Sequence, residues 1–172
     1  MTDLLRALIR DVPDYPKAGI LFRDITPLLR DTEGLQTTID ALATPWAAAE
    51  VDYVAGIEAR GFVLGPSVAL RLEAGFLPVR KAGKLPCPAA REEYDLEYGT
   101  AAIELHRDAL GPGDHVVIVD DVLATGGTAR AAVRLVEGLG ATVVGLAFLI
   151  ELTALGGRDG LDGHRIESVI NY

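Results

Sequence analysis

The segment from Val116 to Thr128 constrains the fold more than any other part of the chain. It begins with four β-branched apolar residues, V-V-I-V, a run typical of a strand buried on both faces of a sheet. Two acids, Asp120 and Asp121, follow where this strand is expected to end. Apolar residues at three- and four-residue spacing predict a helix after the segment. Between the acids and that helix lies a turn of small residues: Ala124, Thr125, Gly126, Gly127 and Thr128.

A strand, a glycine-rich turn and a helix start, in this order, indicate a site for an anion. Glycines let backbone N–H groups point at a ligand, and the first N–H groups of a helix lack partners within it. Each hydrogen bond to a charged phosphate contributes about 1.5–3 kcal/mol, against about 0.3–1 kcal/mol for the helix dipole. The simpler alternative is a tight turn beside two solvated acids, and the acids on an apolar strand weigh against it.

Two other phosphate-binding motifs are excluded. No lysine follows these glycines, as the Walker loop requires, and the dinucleotide pattern G-x-G-x-x-G is absent. The sequence Gly138-Leu139-Gly140 follows a helix rather than a strand, so it is interpreted as a helix C-cap.

Length, charge and cysteine content bound the class of protein. A chain of 172 residues is long enough for one domain, expected here over residues 1–172. Its net charge of −9 argues against nucleic acid or an anionic membrane as partner. No stretch approaches the roughly 18 apolar residues of a membrane span, and no secretory pattern opens the chain. A single cysteine, Cys87, excludes an intrachain disulfide, which suits the cytoplasm.

The remaining pattern predicts alternating helices and strands, and hence an α/β fold with a mainly parallel, twisted sheet flanked by helices. Residues 2–12 are expected to form an amphipathic helix, and residues 86–100 a mobile loop before a hairpin strand. Pro78 suggests that the strand around it is an edge or a strand start. Ligands of such sheets bind beyond the carboxyl ends of the strands, and the polar motifs follow predicted strand ends.

The block from Val116 to Thr128 resembles the loop that binds 5-phosphoribosyl diphosphate (PRPP) in type I phosphoribosyltransferases. Its form D-D-V-L-A-T-G-G-T is most similar to the members that use adenine. Five further motifs occur in the family's order, so the resemblance covers nearly the whole chain. They are P-x-x-G-I-x-F-R-D-I-T-P at residues 16–27, E-A-R-G-F at 58–62, R-K-A-G-K-L-P at 80–86, Y-D-L-E-Y-G at 94–99 and E-L-T at 151–153.

The resemblance implies a role for each matched residue. Asp120 and Asp121 would hold the ribose hydroxyls, and residues 124–128 the 5′-phosphate. Glu97 would transfer a proton at the imidazole ring of the purine, with Tyr98 positioning it. The other matched residues are Arg60, Arg80, Lys81 and Lys84 for pyrophosphate, and Phe22, Arg23 and Leu152 for adenine.

The resemblance also implies an architecture and an activity. A small N-terminal hood over the base is expected at about residues 1–34, and a flexible lid hairpin at about residues 82–104. The implied reaction is that of a pentosyltransferase of purine salvage, in which PRPP and adenine give AMP and pyrophosphate. Mg²⁺ would be held mainly by PRPP, pyrophosphate and water, with no protein metal site. A cytoplasmic homodimer is implied, with no nucleic acid or membrane partner.

Three alternatives remain open at the level of the sequence. The same reaction could use xanthine, hypoxanthine or guanine. The chain could be a PRPP-sensing regulator without catalysis, although no added DNA-binding domain is visible. It could also be a nucleotide-binding structural partner.

Overall fold

The computed structural model describes residues 1–95 and 99–172, and the elements below lie within them. The helices are α1 (Thr2–Ala7), α2 (Thr26–Arg30), α3 (Thr32–Ala43), α4 (Gly61–Arg71) and α5 (Gly127–Gly138). The strands are β1 (Arg10–Pro13), β2 (Leu21–Asp24), β3 (Tyr53–Ile57), β4 (Gly75–Lys81), β5 (Ala89–Asp95), β6 (Thr100–His106), β7 (His115–Leu123), β8 (Thr142–Glu151) and β9 (Ile166–Asn171). Short 3₁₀ turns lie at Thr44–Trp46 and Thr153–Leu155. None of the described helices is long and apolar enough to cross a membrane.

The central sheet has seven strands in the order β5-β6-β4-β3-β7-β8-β9. Neighbours from β4 to β9 pair in parallel, whereas β6 pairs antiparallel with both β4 and β5. Helices α3 and α4 pack in the core on one face, and α5 packs in the core on the other. The α/β prediction with a mainly parallel sheet is therefore confirmed.

Strand β7 is buried on both faces, as its apolar run predicts. Val117 and Val119 belong to the core under α3 and α4, while Val116 and Ile118 belong to the core under α5. The prediction that the strand ends at Asp120 was wrong, because β7 continues through both acids to Leu123. The extension is stabilised by pairing with β8 and by the burial of Leu123, which is 1% exposed.

The N-terminal helix is shorter than its amphipathic pattern suggests. The prediction of a helix over residues 2–12 was wrong beyond Ala7, since β1 follows and pairs antiparallel with β2, with Val12 opposite Phe22. Neither short strand is stable alone, so the pairing between distant segments overrides the local helical pattern. The side chain of Asp24 then accepts hydrogen bonds from the backbone N–H and hydroxyl of Thr26, which lower the pKa of Asp24 together with its bond from Arg10.

The region predicted as a loop over residues 86–100 was partly wrong as well. Strand β5 pairs with β6 in register, for example Ala90 with Leu105, and forms the sheet edge. Ala90 and Tyr94 of β5 pack on the core, but the many charged residues of this strand make the alternation of apolar and polar positions hard to recognise in the sequence.

The expectation for Pro78 was half right. Strand β4 is internal, yet β6 pairs with it only at Arg80 and Lys81, so the missing N–H of Pro78 interrupts no bond to β6.

Candidate functional site

A cleft of about 320 Å³ opens beyond the carboxyl ends of β3 and β7. It brings together three groups of predicted site residues: the acids, the start of the small-residue turn and the expected base contacts. Its lining residues are Ile20, Leu21, Phe22, Arg23, Arg60, Asp120, Asp121, Val122, Ala124, Thr128 and Leu152. These side chains come from four separate segments of the chain, residues 20–23, 60, 120–128 and 152, which meet beyond the carboxyl ends of the parallel strands.

The acid pair lies on the floor of this cleft. Asp121 is 3% exposed, and its Oδ2 lies 2.8 Å from Nε of Arg60. The backbone N–H of Asp121 donates to Oδ1 of Asp120 at 2.9 Å. Burial raises the pKa of Asp120 well above its ordinary value, and the charge of Asp121 adds to the rise. Burial also raises the pKa of Asp121, although Arg60 opposes this. Two carboxylates held in this way can accept hydrogen bonds from neighbouring hydroxyls of a sugar.

The phosphate turn, residues 124–128, follows the acids directly. Gly126 has a φ of 79°, and α5 begins at the next residue. A smaller cavity of about 90 Å³ is lined by all five residues of the turn and by Asp120. Among the described residues, no backbone hydrogen bond outside helices and strands uses an N–H of residues 124–128. These amides are therefore available to an anion at the helix start.

Cationic side chains surround a second turn, between β3 and α4. The carboxylate of Glu58 lies 2.7 Å from Nζ of Lys84 and 3.5 Å from Nε of Arg80, and it accepts the N–H of Lys81 at 2.9 Å. The hydrogen bond from Lys84 lowers the pKa of Glu58. A surface pair between Glu58 and Arg60, the simpler reading of this turn, is not what forms, since Arg60 turns to Asp121 instead. The peptide bond between Glu58 and Ala59 is cis.

The expected base contacts lie at the other end of the cleft. Phe22 and Leu152 line it together, although 130 positions separate them in the sequence. The ring of Phe22 packs edge-on against Tyr15 with centroids 5.2 Å apart, and the Arg60 guanidinium lies 5.2 Å from the Phe22 centroid. These contacts hold the Phe22 ring from two sides.

Arg23 is held by two residues that sequence reasoning missed. It pairs with Asp11, and its guanidinium lies 3.8 Å from the centroid of the Tyr172 ring. Tyr15 was missed for the same reason as Asp11 and Tyr172: nothing in the local pattern indicates contact with a distant segment.

Glu97 and Tyr98 lie outside the described residues, so their predicted roles stay predictions. The strand that precedes them ends beside the phosphate turn, because a Cβ atom built on Gly127 would lie 3.3 Å from the carbonyl oxygen of Asp95. Arg134 of α5 fastens this strand by donating from Nε to Glu92 at 2.8 Å. The last described residue of that strand therefore lies next to the phosphate turn.

The fold and the cleft agree with a family comparison. The phosphoribosyl transferase domain family matches residues 35–162, a range that includes both turns and the acid pair. The class of protein that the fold and site define is thus a phosphoribosyltransferase. Relatives from Methylococcus capsulatus (56% identical, 99% of each chain covered) and Thermobifida fusca (58% identical, 94% of this chain and 92% of the relative) are both named adenine phosphoribosyltransferase. This chain belongs to the adenine phosphoribosyltransferase family.

Solved structures show the same similarity. The adenine phosphoribosyltransferase of Rhodothermus marinus has a TM-score of 0.95 at 53% identity, covering 99% of this chain and 98% of that one. The Saccharomyces cerevisiae enzyme has a TM-score of 0.93 at 40% identity, covering 98% and 97%, and was solved with an imino-altritol bisphosphate and adenine.

Proposed function

We propose that this chain acts in purine salvage by transferring the 5-phosphoribosyl group from PRPP to adenine, which gives AMP and pyrophosphate. The observation that carries the proposal is the shared cleft of Asp120, Asp121, Phe22 and Leu152 beside the phosphate turn. A sugar phosphate and a flat uncharged base need these contacts: carboxylates for hydroxyls, amides for phosphate and apolar side chains for ring faces.

The ribose end of PRPP is held by the acids and the phosphate turn. The N–H groups and threonine hydroxyls of residues 124–128 bind the 5′-phosphate, and Asp120 and Asp121 accept hydrogen bonds from the ribose hydroxyls. As the bond from the anomeric carbon to pyrophosphate breaks, positive charge develops on the sugar, as in glycosidases. The two carboxylates place negative charge near that centre and stabilise it.

The pyrophosphate end is held by cations. Arg60, Arg80, Lys81 and Lys84 offset the charge that accumulates on the leaving group, and the planar fork of an arginine matches phosphate oxygens. No group of three or more His, Cys, Asp and Glu side chains is placed for a metal among the described residues. By the family resemblance, Mg²⁺ would bind chiefly through substrate oxygens and water, where it would supply further positive charge.

The base is held between Phe22 and Leu152, with Arg23 beside it. A bond forms between a ring nitrogen of adenine and the anomeric carbon, and the imidazole ring loses a proton. Glu97 accepts that proton and Tyr98 positions Glu97, a role that rests on the motif Y-D-L-E-Y-G. Such a proton transfer contributes about 10²–10⁴-fold in rate. The lid that excludes water comprises about residues 82–104, and the hood over the base comprises about residues 1–34.

We further propose a homodimer that works in the cytoplasm. Helix α4 presents two exposed apolar side chains seven positions apart, and so on the same face of the helix: Val63 at 47% exposure and Leu70 at 80%. A large exposed apolar side chain is suited to an interface between subunits. Sedimentation equilibrium measures the mass directly, and a monomer at micromolar concentration would contradict this part of the proposal.

An assay with adenine and PRPP, with and without Mg²⁺, tests the main proposal. AMP and pyrophosphate should form in equal amounts, and Mg²⁺ should be required for the full rate. Parallel reactions with hypoxanthine, guanine and xanthine decide the base, and a higher kcat/KM for one of them would contradict adenine as substrate.

Replacement of Glu97 by glutamine separates an enzyme from a PRPP-sensing protein. The variant should form AMP about 10²-fold more slowly or worse, because the proton acceptor is lost. Its affinity for PRPP should stay close to that of the wild type. Unchanged AMP formation would contradict the role of Glu97, and no turnover in either protein would favour a regulator or structural partner.

A further inference from the structure

The loop between β8 and β9 contacts the phosphate turn closely. We call residues 156–161 of this loop the support loop. Its Gly157 is buried. A Cβ atom built on Gly157 would lie 2.4 Å from the carbonyl oxygen of Ala124 and 2.8 Å from Cγ of Leu123. A Cβ atom on Gly126 would in turn lie 2.2 Å from the carbonyl oxygen of Gly157. The two backbones thus touch with no room for a side chain on either.

The support loop is fastened on both sides of this contact. Arg130 of α5 donates from Nη1 to the carbonyl oxygen of Asp159 at 2.6 Å, which ties the loop to the helix that follows the phosphate turn. Leu161 is 3% exposed in the same core cluster as Leu123.

A bidentate ion pair anchors the support loop to the sheet. Arg158 donates from Nε and from Nη2 to the two carboxylate oxygens of Glu151, each at 2.8 Å. Glu151 is the last residue of β8 and is 4% exposed, and the hydrogen bonds from Arg158 lower its pKa. The fork of an arginine fixes orientation as well as distance. The position of Gly157 is therefore set by the neighbouring Arg158.

From this contact we infer that Gly157 is a positioning residue for the 5′-phosphate subsite and that Arg158, through Glu151, holds it in place. The inference rests on the proposed function, because it assigns the support loop to the phosphate turn of that same site. The backbone of Gly157 blocks one side of residues 124–126, so their amides keep the direction that a phosphate needs. Hydrogen bonds weaken steeply with misalignment, and a 1 Å misplacement of positioning groups can cost an enzyme about 10²-fold in rate.

Replacement of Gly157 by alanine tests the inference. The new methyl group must push Ala124 away, and ribose 5-phosphate should bind about tenfold more weakly or worse. Pyrophosphate with Mg²⁺ should bind within about twofold of the wild type, since its subsite lies at the other turn. Both affinities are measured by titration calorimetry, which needs no turnover. Gly111→Ala is the matched control: its backbone, like that of Gly157, is not left-handed, and a Cβ atom there meets no described atom within 4 Å.

A charge-preserving variant covers the case in which Gly157→Ala does not fold. Arg158→Lys keeps the charge but loses the fork, and should weaken ribose 5-phosphate about threefold while sparing pyrophosphate. Arg71→Lys, in an exposed pair with Asp40, is its control. The inference is overturned if ribose 5-phosphate affinity matches that of the controls, or if both ligands weaken in parallel. Ribose 5-phosphate binding and AMP formation by the wild type test the proposed function separately.

Discussion

Two turns at the carboxyl ends of neighbouring strands occupy equivalent positions in the fold but carry different polar groups. Both follow a buried parallel strand and precede a helix: residues 58–60 join β3 to α4, and residues 124–126 join β7 to α5. The first turn works through long charged side chains, with Glu58 amid Arg80 and Lys84. The second has only small residues and a left-handed Gly126, so its polar groups are backbone amides and the Thr125 hydroxyl.

Under the proposed function, this difference in polar groups would let one site hold the two ends of PRPP by different means. Side-chain charges act over several ångströms and tolerate small displacements, whereas amide hydrogen bonds act over about 3 Å and depend on direction. The 5′-phosphate stays with the sugar throughout the proposed reaction, which suits a rigid amide cradle. Pyrophosphate must leave, which suits flexible side chains that Glu58 can pair with afterwards.

The largest expected effect follows from replacing Gly126 by alanine. Its φ of 79° disfavours a side chain, and the new Cβ atom would lie 2.2 Å from the carbonyl oxygen of Gly157. We expect kcat/KM for PRPP to fall on the order of 10²-fold, measured from initial rates. Gly113→Ala, with a φ of 97° and no described atom within 4 Å of a Cβ, controls for backbone strain alone. If both variants lose activity equally, the amide cradle is not the sensitive element.

The next effect concerns Asp120, which lies beside the phosphate turn. Asp120→Asn should lower kcat about 10²-fold because negative charge near the reacting sugar is lost. It should also raise the melting temperature at pH 7. The folded-state pKa of Asp120 is raised, so ionising it costs stability as the pH rises above its unfolded value near 3.8.

Thermal melts at several pH values check the stability part of this prediction. The advantage of the Asp120→Asn variant should shrink as the pH falls towards the unfolded-state value near 3.8, because the folded protein, with the raised pKa of Asp120, is protonated first and the unfolded chain then takes up the same proton. A variant that melts below the wild type at pH 7 would show that the carboxylate stabilises the fold instead.

A smaller effect is expected at the side-chain turn. Arg60→Met removes the partner of Asp121, so the pKa of Asp121 should rise further. If activity needs the ionised acid, the acidic limb of the pH–rate profile should move to higher pH, and pyrophosphate affinity should fall about tenfold. Arg71→Met removes an exposed pair with Asp40 and should leave the profile in place. An unchanged pH–rate profile would show that Arg60 does not control the ionisation of the acid pair.

The smallest effect is expected from Glu58→Gln, which affects stability more than chemistry. The pKa of Glu58 is lowered from 4.5, so its contribution to stability is present above that value and is lost as the pH falls through the lowered pKa. The variant should melt about 2–4 °C below the wild type at pH 7, and the gap should close in acid. Added salt should narrow the gap too, because the pairs are partly exposed. The exposed Glu50 provides the control, Glu50→Gln. A gap that persists at pH 3 would point to packing rather than charge.

Local sequence pattern predicted much of this fold because much of it is local. The apolar run of β7 and the periodicity of α5 each depend on residues close in the chain. The wrong predictions for residues 2–12 and 86–100 share a physical cause. Strands β1 and β5 are largely polar, and they exist because a second strand completes their hydrogen bonds: β2 for β1, at 8–14 positions away, and β6 for β5, at 5–17 positions away.

The candidate site likewise combines residues that are close in the chain with contacts between distant segments. Asp120, Asp121 and the phosphate turn are contiguous, so their chemistry is visible in one stretch of the chain. The residues that contact these groups are distant in the chain: Arg60 is 61 positions from Asp121, and Gly157 is 31 positions from Gly126. Phe22 and Leu152 were paired from the resemblance alone, and the cleft places them on the same cavity.

The sequence by itself determined which turn offers mainly backbone groups and which offers charged side chains, because that depends only on residue type within a few positions. The tertiary structure decided which groups are paired: Arg60 with Asp121, Glu58 with Lys84, and Gly157 with the phosphate turn. Charge and contact depend on distances below 4 Å between segments that only the packed sheet brings together. No local pattern encodes those distances.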